Sequence, residues 1–549
     1  MAKGFFKDRH VVLLCPLMNC STTQLPYSKT GYFSKVVIDY LQQSPELRPF
    51  YEHLPNLEGI KAAIKERQQF IQERKLLSEA LTEQYSIVTP STKVQANIQA
   101  LQQDNTFTIT TAHQPAIFTG HLYFIYKIVH TIRLADQLKK ELPEYNFVPV
   151  FWMGSEDADL DELGNIWLSG DKLVWNTRQT GAVGRMNTKG LDQMIHRIAG
   201  ELSVLPHGEE LISMLKDAYL NSENIQIATF KLIHQLFAEY GLITIIPDTA
   251  KVKKLMVSVF EDDLFHQTPG SIVEKTIERL GEHYKVQANP RAVNLFYLKD
   301  GIRELIELKN DLYEVRNTGI RFTKEEIAVE LNTHPDRFSP NVILRGLFQE
   351  TLLPNIAFIG GGGETSYWLE LKDLFHHYKV PYPVLVVRNS FLVVEKKWEE
   401  KIERMDLQIA DFFQKEQQLL THLVTRQANG HLKLTKELQA TSQLYDAIRD
   451  KATNIDSSLI AHIEALKART VKPLQELEKK LLRAEKKKYA TEQQQIRQVR
   501  EALFPTGGLQ ERVENFMPYY AKWGRQFIDC IYKSSLALEQ QFVIIRSRD

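Results

Sequence analysis

The chain has 549 residues, of which 43% are hydrophobic, 10% aromatic and 25% charged, ordinary globular usage that excludes wholesale disorder and a fibrous repeat. At roughly 100 to 200 residues per domain, this length holds more than one folding unit. Lys and Arg total 68, as do Asp and Glu, so no overall field draws the protein to nucleic acid or to an anionic membrane.

At the start of the chain, Lys3, Lys7 and Arg9 precede a short apolar run over 11–18, but Pro16 breaks it and no small-residue cleavage site follows. No apolar run reaches the roughly 20 residues of a membrane span, which predicts a soluble, cytoplasmic protein. Cys15, Cys20 and Cys530 make no disulfide framework, and no Cys/His cluster offers zinc a cage.

Residues 23–103 pattern as an N-terminal helical part, including a polar helix over 60–81. The β-branched stretch 107–111 predicts a strand, followed by a loop with Pro115 and an amphipathic helix over 121–138. Strand-like runs recur at 148–153, 242–246, 355–359 and 383–387, with helical patterns at 211–220, 225–240 and 367–378 among them. Most of these runs are continuously apolar, as in strands buried on both faces of a parallel sheet. They predict a doubly wound α/β core over 104–394, interrupted by a hairpin-like insertion at 292–301.

Composition shifts over 395–503. Between 401 and 500 there is a single glycine, Gly430, and a single proline, Pro473. Ile402, Met405, Ile409, Phe412, Leu419 and Leu423 form one stripe at alternating three and four spacings, broken only by Glu416, and Leu459, Ile463, Leu466, Leu474, Leu477 and Leu481 form another. Both read as heptad seams of an antiparallel coiled-coil arm reversing at Asn429 and Gly430, with an ordinary helical bundle packed on the core as the alternative. After a Pro/Gly break, residues 504–549 are expected to return to the globular body.

Chemistry-bearing residues concentrate where predicted strands end. Gly360, Gly361, Gly362 and Gly363 lie between a strand and a helix, a setting for anion binding by backbone amides. Glu364 and Thr365 stand where a P-loop needs Lys and Ser/Thr, so the turn reads as an open polar-ligand site in which Glu364 could take a substrate ammonium group; a plain strand-to-helix turn is the alternative. His113 and Gln114 close the first core strand, Gly120 and His121 open its helix, and Tyr126 and Lys127 follow within two turns. Gly120-His121 resembles the second half of the His-x-Gly-His signature of class I aminoacyl-tRNA synthetases, although Phe118 replaces the first histidine.

Five carboxylates occur between Ser155 and Glu162. Mg²⁺ or an amine would suit such a cluster, with Glu156 and Asp157 as the functional members and the outer acids serving a helix N-terminus. Arg345 and Arg388 suit bidentate binding of carboxylate or phosphate, with structural ion pairs as the alternative.

Several segments together carry a resemblance: His113-Gln114 through Phe118-Thr119-Gly120 to Tyr126-Lys127; Pro149 to Trp152 with Ser155-Glu156-Asp157; Ser339-x-Asn341-Val342-x-x-Arg345; the stretch from Phe358 to Trp368; and Phe504-Pro505-x-Gly507-Gly508 with Leu509 to Arg512. In order and over nearly the whole chain, they resemble the cysteine-adding enzyme family of bacillithiol biosynthesis. The resemblance implies a Rossmann-like core with connecting-peptide insertions, a helical coiled-coil domain through which a homodimer forms, and a ligase joining L-cysteine to the amino group of glucosaminyl-malate. ATP or another adenine nucleotide would activate the carboxyl, with Mg²⁺ as an optional helper and no zinc.

Mapped onto this sequence, the expected catalytic residues are His121, Glu156, Asp157 and Glu364. The expected binding residues are His113, Gln114, Gly120, Lys127, Asn341, Arg345, Gly361, Gly362, Gly363, Tyr367, Trp368, Arg388 and Ser390. Ala158 departs from the family pattern, and residues 1–22, before the usual family start, read as an extension. A synthetase-like nucleotidyltransferase with another substrate and a non-catalytic scaffold in a thiol pathway are the alternatives.

Overall fold

The computed structural model describes residues 15–16, 19–427 and 433–547. It divides into two compact units, one formed by residues up to Ser28, Tyr32–Val393 and the residues from Gly508 onward, the other by Lys29–Gly31 and Val394–Gly507.

The first unit is built on five parallel strands, β1 (Thr106–His113), β2 (Asn146–Met153), β3 (Ile243–Ile245), β4 (Asn355–Gly360) and β5 (Val384–Val387). Their spatial order is 3-2-1-4-5, so the chain's winding direction reverses between β1 and β4. All five predicted core strands are present, because each is an apolar or β-branched run buried on both faces. Threonines fix the central register: Thr110 and Thr108 hydroxyls reach Asn355 Oδ1 at 2.8 and 3.2 Å, and Thr111 donates to the Ile359 carbonyl at 2.8 Å. This register brings the end of β1 beside the glycine turn after β4. The helix α1 (Tyr123–Glu141) packs on the sheet.

The predicted hairpin is the middle of an antiparallel insertion. Strands Leu295–Lys299 and Ile302–Lys309 turn at Gly301, whose φ is +71°, and Phe338–Pro340 pairs with the first of them. A separate strand, Asn19–Leu25, pairs antiparallel with Phe542–Ser547. Residues 19–22 of the stretch read as an extension thus form part of a strand, where Cys20 and Ser21 are buried.

Two long helices expected from the sequence are each broken. The first divides into Leu57–Arg67 and Arg74–Gln84: Arg67 ends its helix in a buried ion pair with Glu350 at 2.7 Å, and Gln72 in the gap donates to the Thr351 carbonyl. The second divides into α3 (Gly362–Trp368) and Lys372–Tyr378, with Glu370 at the break accepting the backbone amides of Gln287 and Ala288 at 2.7 and 2.8 Å.

In the second unit the helices are α4 (Lys396–Arg404), α5 (Glu416–Gln427), α6 (Thr435–Thr453), α7 (Ile460–Lys486) and α8 (Ala490–Leu503). The first stripe is buried as expected but is not continuous helix. Asp406 adopts φ +54° and Leu407 N–H returns to the Ile402 carbonyl at 3.2 Å, a left-handed helix stop. The second stripe, apart from Leu459 in the turn before it, lies on α7, which pairs antiparallel with α6 through Lys467–Asp446 at 2.8 Å and Tyr445–Thr470 at 2.7 Å. That pair reverses between Thr453 and Ile460; Asn429 and Gly430 lie outside the described residues. Among the described residues, no helix is long and apolar enough to cross a membrane.

Candidate active site

A cleft of about 920 Å³ opens at the carboxyl ends of β1, β2 and β4, at the reversal where open α/β sheets place their ligands. His113, Gln114, His121, Lys127, Asp157, Asn341, Arg345, Gly361, Gly362, Gly363, Glu364, Tyr367 and Arg388 all line it. Gly120, Glu156, Trp368 and Ser390 do not.

On the glycine-turn side, Lys127 reaches across from α1. Its ammonium lies 2.5 Å from Glu364 Oε2 and donates to the Ala112 carbonyl at 2.8 Å. Glu364 also accepts the Gly361 amide at 2.8 Å, closing a capping turn at the start of α3. The ammonium held by Glu364 is therefore that of Lys127. Burial pulls the Lys127 pKa down, and the Glu364 carboxylate opposes that shift. Gly363 faces open space, whereas a Cβ at Gly362 would stand 2.9 Å from Val37. The first amides of a helix have no partner within it, so Gly362 and Gly363 offer donors beside Lys127, a set that fits phosphate oxygens.

Arg388 is committed elsewhere. It pairs with the buried Glu511 at 2.7 Å and donates to Asn389 O and Ser390 Oγ at 3.0 and 3.1 Å. Ser390 donates to the same carboxylate at 3.1 Å. Arg388 and Ser390 thus build the wall beneath the turn. Trp368 is a core residue, packed on Phe358 with ring centroids 4.5 Å apart. Asn341 caps α2 (Val342–Leu352) by accepting Ile343 N–H at 3.0 Å, while its amide reaches Asn294 at 2.9 Å.

The two histidines are presented as defined tautomers. His113 Nδ1 lies 3.0 Å from the Gln114 carbonyl, which can only accept, so Nδ1 carries the proton and Nε2 accepts from Tyr123 OH at 3.1 Å. Burial pushes the His113 pKa down to about 3. His121 Nδ1 likewise donates to Val513 O at 3.2 Å, leaving Nε2 as its basic atom, and burial lowers this imidazole's pKa too. His121 is delivered by a tight turn in which Phe118, Thr119 and Gly120 have φ of +49°, +66° and +60°. Asn515 holds that turn by donating to the Phe118 and Gly120 carbonyls at 2.9 and 2.5 Å. Gly120 thus shapes the turn, and a Cβ there would stand 2.9 Å from Ala116.

The acidic cluster diverges. Glu156 turns to a buried network in which Lys253 bridges it to Asp248, itself gripped by Arg185 at 2.6 and 2.7 Å. Burial raises the Glu156 carboxyl, whereas the Lys253 and Arg185 cations outweigh burial at Asp248 and hold it low. Asp159 caps a short helix by accepting Glu162 N–H at 3.0 Å. Only Asp157 and Glu162 of this cluster line the cleft. Asp157 accepts Gln114 Nε2 at 3.2 Å and stands 3.6 Å from Arg345 and 4.0 Å from Arg303. Burial raises its carboxyl, but the two arginines prevail and keep it ionised. Burial raises the Glu162 carboxyl, helped by Asp159 and Asp157. Among the described residues, no group of three or more His, Cys, Asp or Glu side chains could hold a metal ion.

Sequence reasoning missed Arg303, Arg291, Glu162 and Tyr123 in the lining, and Asn515 behind it. Tyr123 lies inside the motif that carried the resemblance. Arg303 and Arg291 sit in the insertion, where no motif marks them. Arg291 lies on an irregular strap together with Gln287 and Asn289, all three facing the cleft. Glu370 anchors one end of this strap; at the other, Asp263 accepts the amide side chain of Asn294 at 2.9 Å.

The comparisons with known proteins match this architecture. "Bacillithiol biosynthesis BshC, N-terminal Rossmann-like domain" matches residues 18–389, and "Bacillithiol biosynthesis BshC, C-terminal coiled-coil domain" matches residues 391–547. Relatives named "Putative cysteine ligase BshC" occur in Flavobacterium psychrophilum, 39% identical over 96% of this chain and 99% of the relative, and in Flavobacterium johnsoniae, 39% identical over 95% and 99%. The relative of the same name in Christiangramia forsetii is 36% identical over 95% and 99%. With both domain descriptions matched in order and relatives aligned along nearly their full length, the chain belongs to the BshC family of bacillithiol biosynthesis.

Proposed function

We propose that the protein is a cytoplasmic ligase that joins cysteine, through its carboxyl, to the amino group of glucosaminyl-malate and so forms bacillithiol. The observation that carries this reading is the 39% identity, over 96% of the chain, to a relative named "Putative cysteine ligase BshC". Amide formation from a free carboxylate is uphill in water, and an adenine nucleotide, with or without Mg²⁺, supplies the activation.

The side chains divide this work. The Gly362 and Gly363 amides with Lys127 receive phosphate charge as it develops, and the Lys127–Glu364 contact sets the ammonium's position. His121, neutral and with Nε2 free of its backbone contact, takes the proton from the attacking amine. Asp157, ionised beside two arginines, receives the ammonium of cysteine, and Arg345 receives carboxylate of the acceptor. The arm serves as the dimer contact, since Leu444, Ile448, Leu466, Leu477 and Leu481 are exposed on α6 and α7.

Mass spectrometry of low-molecular-weight thiols in cells lacking the gene tests the function. Loss of bacillithiol with accumulation of glucosaminyl-malate, reversed by the intact gene and not by Lys127→Met, is the expected result; unchanged bacillithiol overturns it. With ¹⁸O in the cysteine carboxyl, label in AMP marks adenylate activation, and label in inorganic phosphate refutes it in favour of an acyl phosphate. Leu466→Asp with Leu477→Asp should halve the mass seen in light scattering; a wild-type monomer would remove the dimer.

A further inference from the structure

Arg303 lies on the inserted strand Ile302–Lys309 and brings a guanidinium into the cleft wall with 8% of its side chain exposed. Its plane rests on the Phe296 ring at 3.9 Å, and its buried Nε has no acceptor among the described residues. The nearest carboxylate, Asp157, is 4.0 Å away and is shared with Arg345 at 3.6 Å. Both separations exceed the roughly 2.7–3.2 Å of a formed N–H···O bond. A buried cation without hydrogen-bonded compensation is costly, and this one is held in place by an aromatic shelf and by the strand that carries it.

Charge on this wall is also out of balance. Arg291, Arg303 and Arg345 share the lining with two carboxylates, Asp157 and Glu162, the latter's carboxyl raised by burial, whereas Lys127 across the cleft is matched by Glu364. Three guanidiniums against two carboxylates leave this lining net positive, the more so when Glu162 is protonated, which suits an anionic group. Each fork can engage two oxygens in one plane, the geometry of carboxylate and phosphate recognition.

We infer that Arg303, with Arg345 and Arg291, forms a binding subsite for a group bearing carboxylate or phosphate oxygens, Arg303 being its fixed anchor and Asp157 the carboxylate that Arg303 and Arg345 share in its absence. The inference rests on the ligase reading for the identity of the two possible donors of that group: two carboxylates on the acceptor substrate, or terminal phosphates of the nucleotide.

The test is calorimetric titration of the full-length protein with L-malate and with inorganic pyrophosphate, at low and at moderate salt. Wild type should bind at least one probe, more weakly as salt rises. Arg303→Met should weaken that binding at least tenfold, and Arg303→Lys, which keeps the charge without the fork, should fall between the two. Loss confined to L-malate assigns the subsite to the acceptor's carboxylates, and loss confined to pyrophosphate assigns it to the nucleotide.

Binding of neither probe by wild type, or unchanged binding by Arg303→Met at an unaltered melting temperature, overturns the inference. Should Arg303→Met fail to fold, Arg345→Met, at a side chain 25% exposed, gives the same readout. Probe binding requires no turnover: a wild type that binds L-malate yet makes no cysteine amide would remove the ligase reading and leave the subsite, and a turning-over enzyme indifferent to Arg303→Met would do the reverse.

Discussion

On the glycine-turn side of the cleft, Lys127 meets Glu364 at 2.5 Å and Arg388 meets Glu511 at 2.7 Å, while on the insertion side Asp157 stands 3.6 Å from Arg345 and 4.0 Å from Arg303. The first set is closed: each buried charge has its counterion and further hydrogen bonds. The second is open, with guanidinium donors held just beyond bonding distance. The parallel sheet thus supplies a finished frame, and the insertion supplies unsatisfied donors whose geometry a ligand would complete. Substitutions on the closed side should act mainly on stability, and those on the open side mainly on binding.

The largest effect expected is at Glu511, buried and contacted by Arg388, Ser390 and the Phe391 amide. Glu511→Ala leaves Arg388 buried and unpaired and should cost about 3–5 kcal/mol in denaturant unfolding; a loss below about 1 kcal/mol would break the comparison. Glu364→Ala strands the Lys127 ammonium beside more open solvent and should cost about 1–3 kcal/mol. Adding Lys127→Met to that variant should restore stability without restoring activity, separating the frame's two roles.

A pH effect comes next. Burial holds His113 down to about 3 and His130 down to about 4, against about 6.5 in the unfolded chain. Below 6.5 the unfolded chain gains protons that the folded chain refuses, so their contribution is complete above that pH and is lost as pH falls towards 3–4. Nitrogen chemical shifts should report neutral imidazole at both positions from pH 5 to 8; an imidazolium signal at either would remove this contribution. The smallest stability change belongs to the open side. Arg345→Lys should stay within about 0.5 kcal/mol of wild type, while, on the proposed ligase reading, KM for the amine acceptor rises about tenfold through loss of the fork. Equal falls in stability and affinity would show that the two sides do not differ.

The sequence made the sheet legible because burial on both faces leaves a continuous apolar run, and the turn at Gly360 to Gly363 because only glycine repeats that way. It also placed Asp157 and Glu364 just after strands and Lys127 in the helix that follows the first core strand, and singled out Arg345; all four line the cleft. What escaped it was pairing across long separations. Glu156 looked functional until its partner Lys253, 97 residues on, became visible, and the partner that occupies Arg388, Glu511, lies 123 residues away. Trp368 looked like a ligand contact because it shares a motif with residues that line the cleft, yet its ring faces the core. Arg303 stayed hidden because an alternating strand of an insertion gives no sign of which basic side chain turns inward.

The left-handed turn before His121 carries a consequence for the order in which the protein is made. Its clasp, Asn515, and the carbonyl that orients His121, at Val513, follow the helical arm in the sequence and leave the ribosome only after that arm has been synthesised. A nascent chain that has emerged only as far as α8 already carries every glycine and strand of the cleft, but its Phe118–Gly120 backbone is unclasped and Arg388 has yet to meet Glu511. Activity should therefore switch on as a single late event in translation, and chains truncated before residue 508 should be inactive even where their sheet has formed.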